Sequence, residues 1–151
     1  MSRVDFYHLQ NQTLENVLSK LLEKAYETGK KVKIKVGNEE RVEFINTFLW
    51  TFNDQSFIPH GSRKDGFGEM QPIWLSAGDD NPNGATMLFL VDGAKIDLDS
   101  LKQYERVFNI FDGNSETAVN AARTFWKELK GAGEEIYYWQ QEDNGRWKQK
   151  A

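Results

Sequence analysis

The stretch VDFYHLQNQTLENVLSKLLEKAYETGKKVKIKV, Val4 to Val36, changes its hydrophobic period twice, and those changes set the fold class. Val4, Phe6, Tyr7 and Leu9 make a short apolar and aromatic run, which suits a mostly buried first strand. Thr13 then offers a side-chain oxygen as a helix N-cap. Leu14, Val17, Leu18, Leu21, Leu22 and Ala25 recur at helical spacing, and Gly29 supplies a left-handed stop. Lys31-Val32-Lys33-Ile34-Lys35-Val36 alternates with period two. The alternation predicts a half-exposed strand with lysines on a solvated face, although four lysines in the six positions Lys30 to Lys35 could also serve as an anion site.

Outward from this strand–helix–strand unit the same alternation continues. Glu39 to Thr51 reads as a helix, with acidic residues in its first turn and Val42, Ile45, Phe48 and Leu49 on one side. Asn53 to Gln71 is broken by Pro59, Gly61, Gly66 and Gly68, which predicts a long structured loop. Ile73 to Leu75, Met87 to Val91 and Arg106 to Phe111 are short continuous apolar runs between turn signals, as buried central strands should be. Ser115 to Lys130 is a third helix, and Ile136 to Trp139 a terminal strand. This order implies an α/β sandwich whose mostly parallel or mixed central sheet is flanked by helices, Rossmann-like but without a phosphate-binding loop. Residues 1–151 read as one domain, with 142–151 a polar C-terminal tail.

Composition narrows the chemistry. The chain has 151 residues, 39% of them aliphatic or aromatic, so material for a core is ample. A net charge of −4 disfavours general binding of a phosphate backbone, and the absence of cysteine removes thiolate and disulfide chemistry. No window approaches the ~20 apolar residues of a membrane span, and Met1 to Asp5 does not open a signal peptide, so a cytoplasmic protein is expected. The turn after the first strand, His8 to Thr13, has no glycine, and neither a Walker sequence nor a Gly-x-Ser-x-Gly elbow occurs. His8 and His60 have no metal-ligand spacing, and Asp79-Asp80 and Asp97/Asp99 sit in turn-like contexts that suit solvated carboxylates. No catalytic residue, metal or cofactor is expected.

Two regions suggest binding instead. Arg123, Lys127 and Lys130 fall at i, i+4 and i+7 of the third helix, with Trp126 beside them: a guanidinium that can grip a carboxylate next to an apolar wall. An ordinary amphipathic helix with solvated lysines accounts for the same pattern. Phe48-Leu49-Trp50-Thr51-Phe52 and Ser56-Phe57-Ile58-Pro59-His60 hold more large apolar groups than one helical stripe can bury, which fits either a protein interface or a locally enlarged core.

The ordered set Val4 to Leu9, Leu49-Trp50, Ser56 to His60, Glu105 to Phe108, Phe111 to Asn114, Ala121 to Arg123, Trp126-Lys127, Gly131 to Gly133 and Tyr138 to Gln141 resembles the chi subunit of bacterial DNA polymerase III. The resemblance implies a non-catalytic subunit with two protein-binding surfaces. One would take the acidic C-terminal tail of single-stranded DNA-binding protein at Arg123, Trp126, Lys127 and Lys130, with Trp126 where the family has a tyrosine and Val119 where it has a lysine. The other would dock the psi subunit, a helicase or the clamp loader at Trp50 and Phe57. DNA would then be touched only indirectly. Two competing readings are a direct single-stranded nucleic-acid binder using the lysines of the second strand, and a nucleotide-binding enzyme with a diverged motif.

Overall fold

A computed structural model of the chain describes residues 2–10, 12–51, 60–62, 65–143 and 146–151. The described residues form one eight-stranded sheet in the order β3-β4-β2-β5-β6-β1-β7-β8, parallel except for the antiparallel pair β7–β8. Its strands are β1 (Arg3–Leu9), β2 (Val32–Val36), β3 (Gly61–Ser62), β4 (Ile73–Ser76), β5 (Met87–Val91), β6 (Arg106–Asp112), β7 (Glu135–Gln141) and β8 (Trp147–Gln149). Four helices accompany them: α1 (Leu14–Glu27), α2 (Glu39–Thr51), α3 (Leu98–Leu101) and α4 (Glu116–Gly131).

The helices form where their caps and stripes allow. Thr13 accepts from the Asn16 amide and Ser115 from the Ala118 amide, each satisfying a donor that the first turn leaves open. Gly29, at φ 77°, ends α1 in a conformation that a side chain would disfavour. On one face of the sheet Val17, Leu18 and Leu22 of α1 and Val42, Ile45 and Leu49 of α2 pack on Ile34, Phe89 and Ile110. On the other, Ala122 and Leu129 of α4, with Leu101 and Tyr104, pack on Val4, Phe6, Leu88 and Leu90. The α/β sandwich expected from the sequence is the fold observed. None of its helices is long and apolar enough to cross a membrane, among the described residues.

β2 departs from expectation. It lies between β4 and β5, and the Lys33 side chain is only 1% exposed. The loop between β4 and β5 folds across that face, and the Lys33 ammonium donates to Ser76 Oγ at 2.5 Å, to Gly78 O at 3.1 Å and to the Asp80 carbonyl and carboxylate. Lys35 reaches Asp79 at 2.6 Å and the Lys95 carbonyl. A central parallel strand buries most of both its faces, so Lys33 and Lys35 serve to hold a loop down. Asp79 and Asp80, expected as solvated loop acids, are their partners.

The stretch expected as a loop after α2 contains, where described, the two-residue strand β3 and a 3-10 turn, Gly68–Met70. The tail expected as merely polar carries β8. A strand of three residues with one Trp is too short to announce itself by periodicity.

Candidate functional site

α4 lies antiparallel to the strands it covers, and its two flanks face different surroundings. Ala118, Ala121, Phe125 and Glu128 line an open crevice of about 1210 Å³ that runs along the carboxyl ends of β1, β2, β5 and β6. Arg123 and Trp126 stand on the other flank, over β1 and β7. The indole of Trp126 is half-buried, 5.3 Å from the Phe6 ring and 5.8 Å from Tyr138, both edge-on. Its wall is therefore continued by Tyr138, and Phe111 closes the far side at 6.1 Å from Tyr138. Arg123, Lys127 and Lys130 are exposed, and among the described residues none meets a carboxylate.

Beneath Arg123 lies a polar pair that the sequence alone did not single out. His8 Nδ1 and Tyr138 Oη are 2.6 Å apart, joined across the parallel pair β1–β7. Burial pushes the His8 imidazole below its usual range and Arg123 adds to the depression, with Asp112 pulling the other way. Burial likewise raises the Tyr138 phenol, against the opposing pull of Arg123. Both groups are neutral near pH 7, so one neutral hydrogen bond joins them. The exposed guanidinium of Arg123 stands above this neutral pair and, among the described residues, forms no ion pair.

Gly113 explains why the backbone here comes so close. A Cβ on it would stand 2.1 Å from the His8 ring and 2.4 Å from Leu9 O, and its amide donates to that carbonyl at 2.8 Å. Only glycine fits. The signal was in the sequence as the block Phe111 to Asn114, but its meaning needed the partner residue His8, 105 positions away in the chain.

The second expected surface is only partly described. Trp50 is 46% exposed near the C-terminus of α2, its indole 4.1 Å from the His60 imidazole and inclined by 32°. His60 is itself fixed, its Nε2 2.9 Å from Asn46 O. Trp50 is thus presented from a rigid helix on a buried support. Phe57 lies outside the described residues. Phe67 and Met70, 75% and 77% exposed, add apolar surface to the loop that precedes β4.

The two surfaces sit at different ends of the sheet, Trp50 toward β3 and Arg123 over β1 and β7. Neither contains a cluster of metal-binding side chains among the described residues.

Residues 1–137 match the family described as DNA polymerase III chi subunit, HolC. A protein of Rickettsia prowazekii (strain Madrid E), described as a probable DNA polymerase III subunit chi, is 32% identical over 109 residues, which is 72% of this chain. The match spans 66% of that relative's length, just under two thirds.

Proposed function

The chain belongs to the DNA polymerase III chi subunit family, and from that premise we propose that it is a non-catalytic accessory subunit linking two partners during DNA replication. The flank of α4 with Arg123, Trp126, Lys127 and Lys130 takes the acidic C-terminal tail of single-stranded DNA-binding protein. Trp50, with Phe57, takes psi, a helicase or another part of the clamp-loader assembly.

The observation that carries this reading is an unneutralised Arg123 beside a half-buried aromatic wall of Trp126 and Tyr138. A tail that ends in an aromatic residue has two features to match it. Burying the terminal ring contributes about 1.5–3 kcal/mol, and a charge-assisted bond from the guanidinium to the terminal carboxylate a similar ~1.5–3 kcal/mol. Neither alone offsets the entropy of ordering a flexible tail, so binding needs both and the affinity is on the order of micromolar.

Calorimetry with a synthetic acidic peptide ending in phenylalanine tests the reading. Arg123→Ala is expected to cost at least about tenfold, and amidation of the terminal carboxylate to cost the same. Lys130→Ala costs much less, because an exposed charge acts through a screened field. Equal binding by Arg123→Ala, or by a peptide without its last residue, refutes the site.

A further inference from the structure

The register of the last two strands brings two more cations to the same flank of α4, and they lie beyond residue 137, where the family match ends. β8 runs antiparallel to β7 with Lys148 opposite Gln140. Beyond β8 the Lys150 amide donates to Tyr138 O at 2.7 Å and the Tyr138 amide to Ala151 O at 3.2 Å, so Tyr138 stands opposite both Lys150 and Ala151 as in a bulge. Opposed residues of such a pair share a face of the sheet. Two rows result: His8, Gln140 and Lys148 in one, and Phe6, Tyr138 and Lys150 in the next. Because Phe6 and Tyr138 pack on Trp126, this is the face that α4 covers.

The other face explains what fixes the strand in that phase. Trp147 sits on Tyr7, ring centroids 5.1 Å apart and edge-on, within the core that α1 and α2 cover. An apolar anchor on one face sends its neighbours in a strand to the other. Lys148 and Lys150 are thereby turned toward α4, and both are exposed.

Cations predominate on this face, where Asp112 near His8 and Glu142 at the turn are the acids. Arg123, Lys127 and Lys130 form one bank and Lys148 and Lys150 the other, and among the described residues none is ion-paired. At the turn end, Glu142 and Arg146 are opposed in the same way and balance each other in sign. Elsewhere Lys30, Lys33, Lys35 and Arg41 each meet a carboxylate, and Lys20 and Lys24 on α1 are exposed without an ion pair among the described residues, but no other face gathers five such cations. In a chain of net charge −4, five cations without an ion pair on one face suit an anionic segment.

We propose that β8 is the second bank of the tail site: Lys148 and Lys150 hold the acidic residues that precede the terminal carboxylate, which Arg123 takes. The occupant is an acidic peptide with a free C-terminal carboxylate lying between α4 and β8. The proposal rests on the reading of α4 given above. It adds that the groove has two walls and that specificity for acidic residues before the terminus comes from β8.

The test uses the full chain with Lys148→Gln and Lys150→Gln together, titrated with the same acidic peptide at low and high salt. The expected result is about a threefold to tenfold loss at low salt, a shallower salt dependence and an unchanged melting temperature. The control is Lys20→Gln with Lys24→Gln on α1, which alters net charge equally on the opposite face and should bind as the parent does. Parental affinity in the β8 variant, while Arg123→Ala loses binding, overturns the proposal and leaves the α4 site standing. An equal loss in the α1 control overturns it too, by assigning the effect to net charge. A parent chain that fails to bind the peptide removes the α4 reading itself.

Discussion

The two ends of the sheet are built inside out relative to each other. Around β2 and β4 the charges are buried, with Lys33 caged by Ser76, Gly78 and Asp80, while large apolar groups, Trp50, Phe67 and Met70, face solvent. Around β7 and β8 the aromatics are packed, Trp126 and Tyr138 under α4 and Trp147 on Tyr7, while Lys148, Lys150 and Arg123 stand outside. Lys31 to Val36 and Trp147 to Lys150 both alternate lysine with another residue, so sequence alone treats them alike. Position in the sheet separates them: a strand between two parallel neighbours must bury both faces, and an edge strand need not. On the function proposed above, the first end would take an apolar partner and the second an acidic one.

The sharpest way to break this comparison is to remove one lysine from each end. Lys33→Met leaves Ser76 Oγ, two loop carbonyls and the half-exposed Asp80 carboxylate without their common donor, and is expected to cost about 1–3 kcal/mol in urea unfolding. Lys148→Met should stay within about 0.5 kcal/mol of the parent. A loss under 1 kcal/mol for Lys33→Met, on the same scale, removes the contrast. Acid gives a second view of the cage. Burial raises the Asp80 carboxyl, but bonds from Ser76, Trp74 and Lys33 outweigh it and leave the group below its usual range. A depressed carboxylate contributes stability that is present above its unfolded pKa of about 4 and lost as pH falls through the folded value. Asp80→Asn should flatten that acid limb.

How legible was all this in the sequence? The strand–helix–strand opening, the caps at Thr13 and Ser115 and the buried runs of β4, β5 and β6 were readable, because local pattern and global fold agree there. The lysines of β2 were misread for the opposite reason. Their partners, Asp79 and Asp80, come from a loop more than forty residues on, and nothing in the local period reports a lid. The cations of α4 were legible as a stripe, yet His8 and Tyr138 beneath them were not, since they meet only through the pairing of β1 with β7. β8 was missed because its single apolar anchor is one residue.

At the apolar end, Trp50→Ala should weaken association with the partner proposed there, psi, a helicase or the clamp-loader assembly, by about 2 kcal/mol or more, as an aromatic anchor does. Its effect on melting should be small, because the indole is 46% exposed and rests on His60 without filling the core. Sedimentation of the complex and thermal unfolding of the free chain separate the two quantities. The comparison further requires this association to survive high salt, whereas the peptide complex at the other end weakens. A complex at Trp50 as salt-sensitive as the one at Arg123 would erase the distinction between the ends.

The smallest effect concerns His8, and it probes the acidic-partner end from within. Burial first, and then Arg123, hold the imidazole below its usual range, against the pull of Asp112. For a histidine depressed in the fold, the unfolded chain binds more protons between the folded pKa and about 6.5. Its contribution to stability is therefore complete above about 6.5 and declines as pH falls through that window. Arg123→Ala removes one of the two causes, so the His8 pKa should rise and the window narrow. A bound peptide carboxylate beside Arg123 offsets the same positive charge, so it too should raise the His8 pKa. Linkage then makes the peptide bind somewhat more tightly as pH falls toward the His8 range, while its own carboxylates stay ionised. Proton NMR of the His8 ring reads all three cases: parent, Arg123→Ala, and parent saturated with peptide. An imidazole that titrates identically in parent and Arg123→Ala would show that the guanidinium points away from His8, and the carboxylate would then have no reason to settle above the His8–Tyr138 pair.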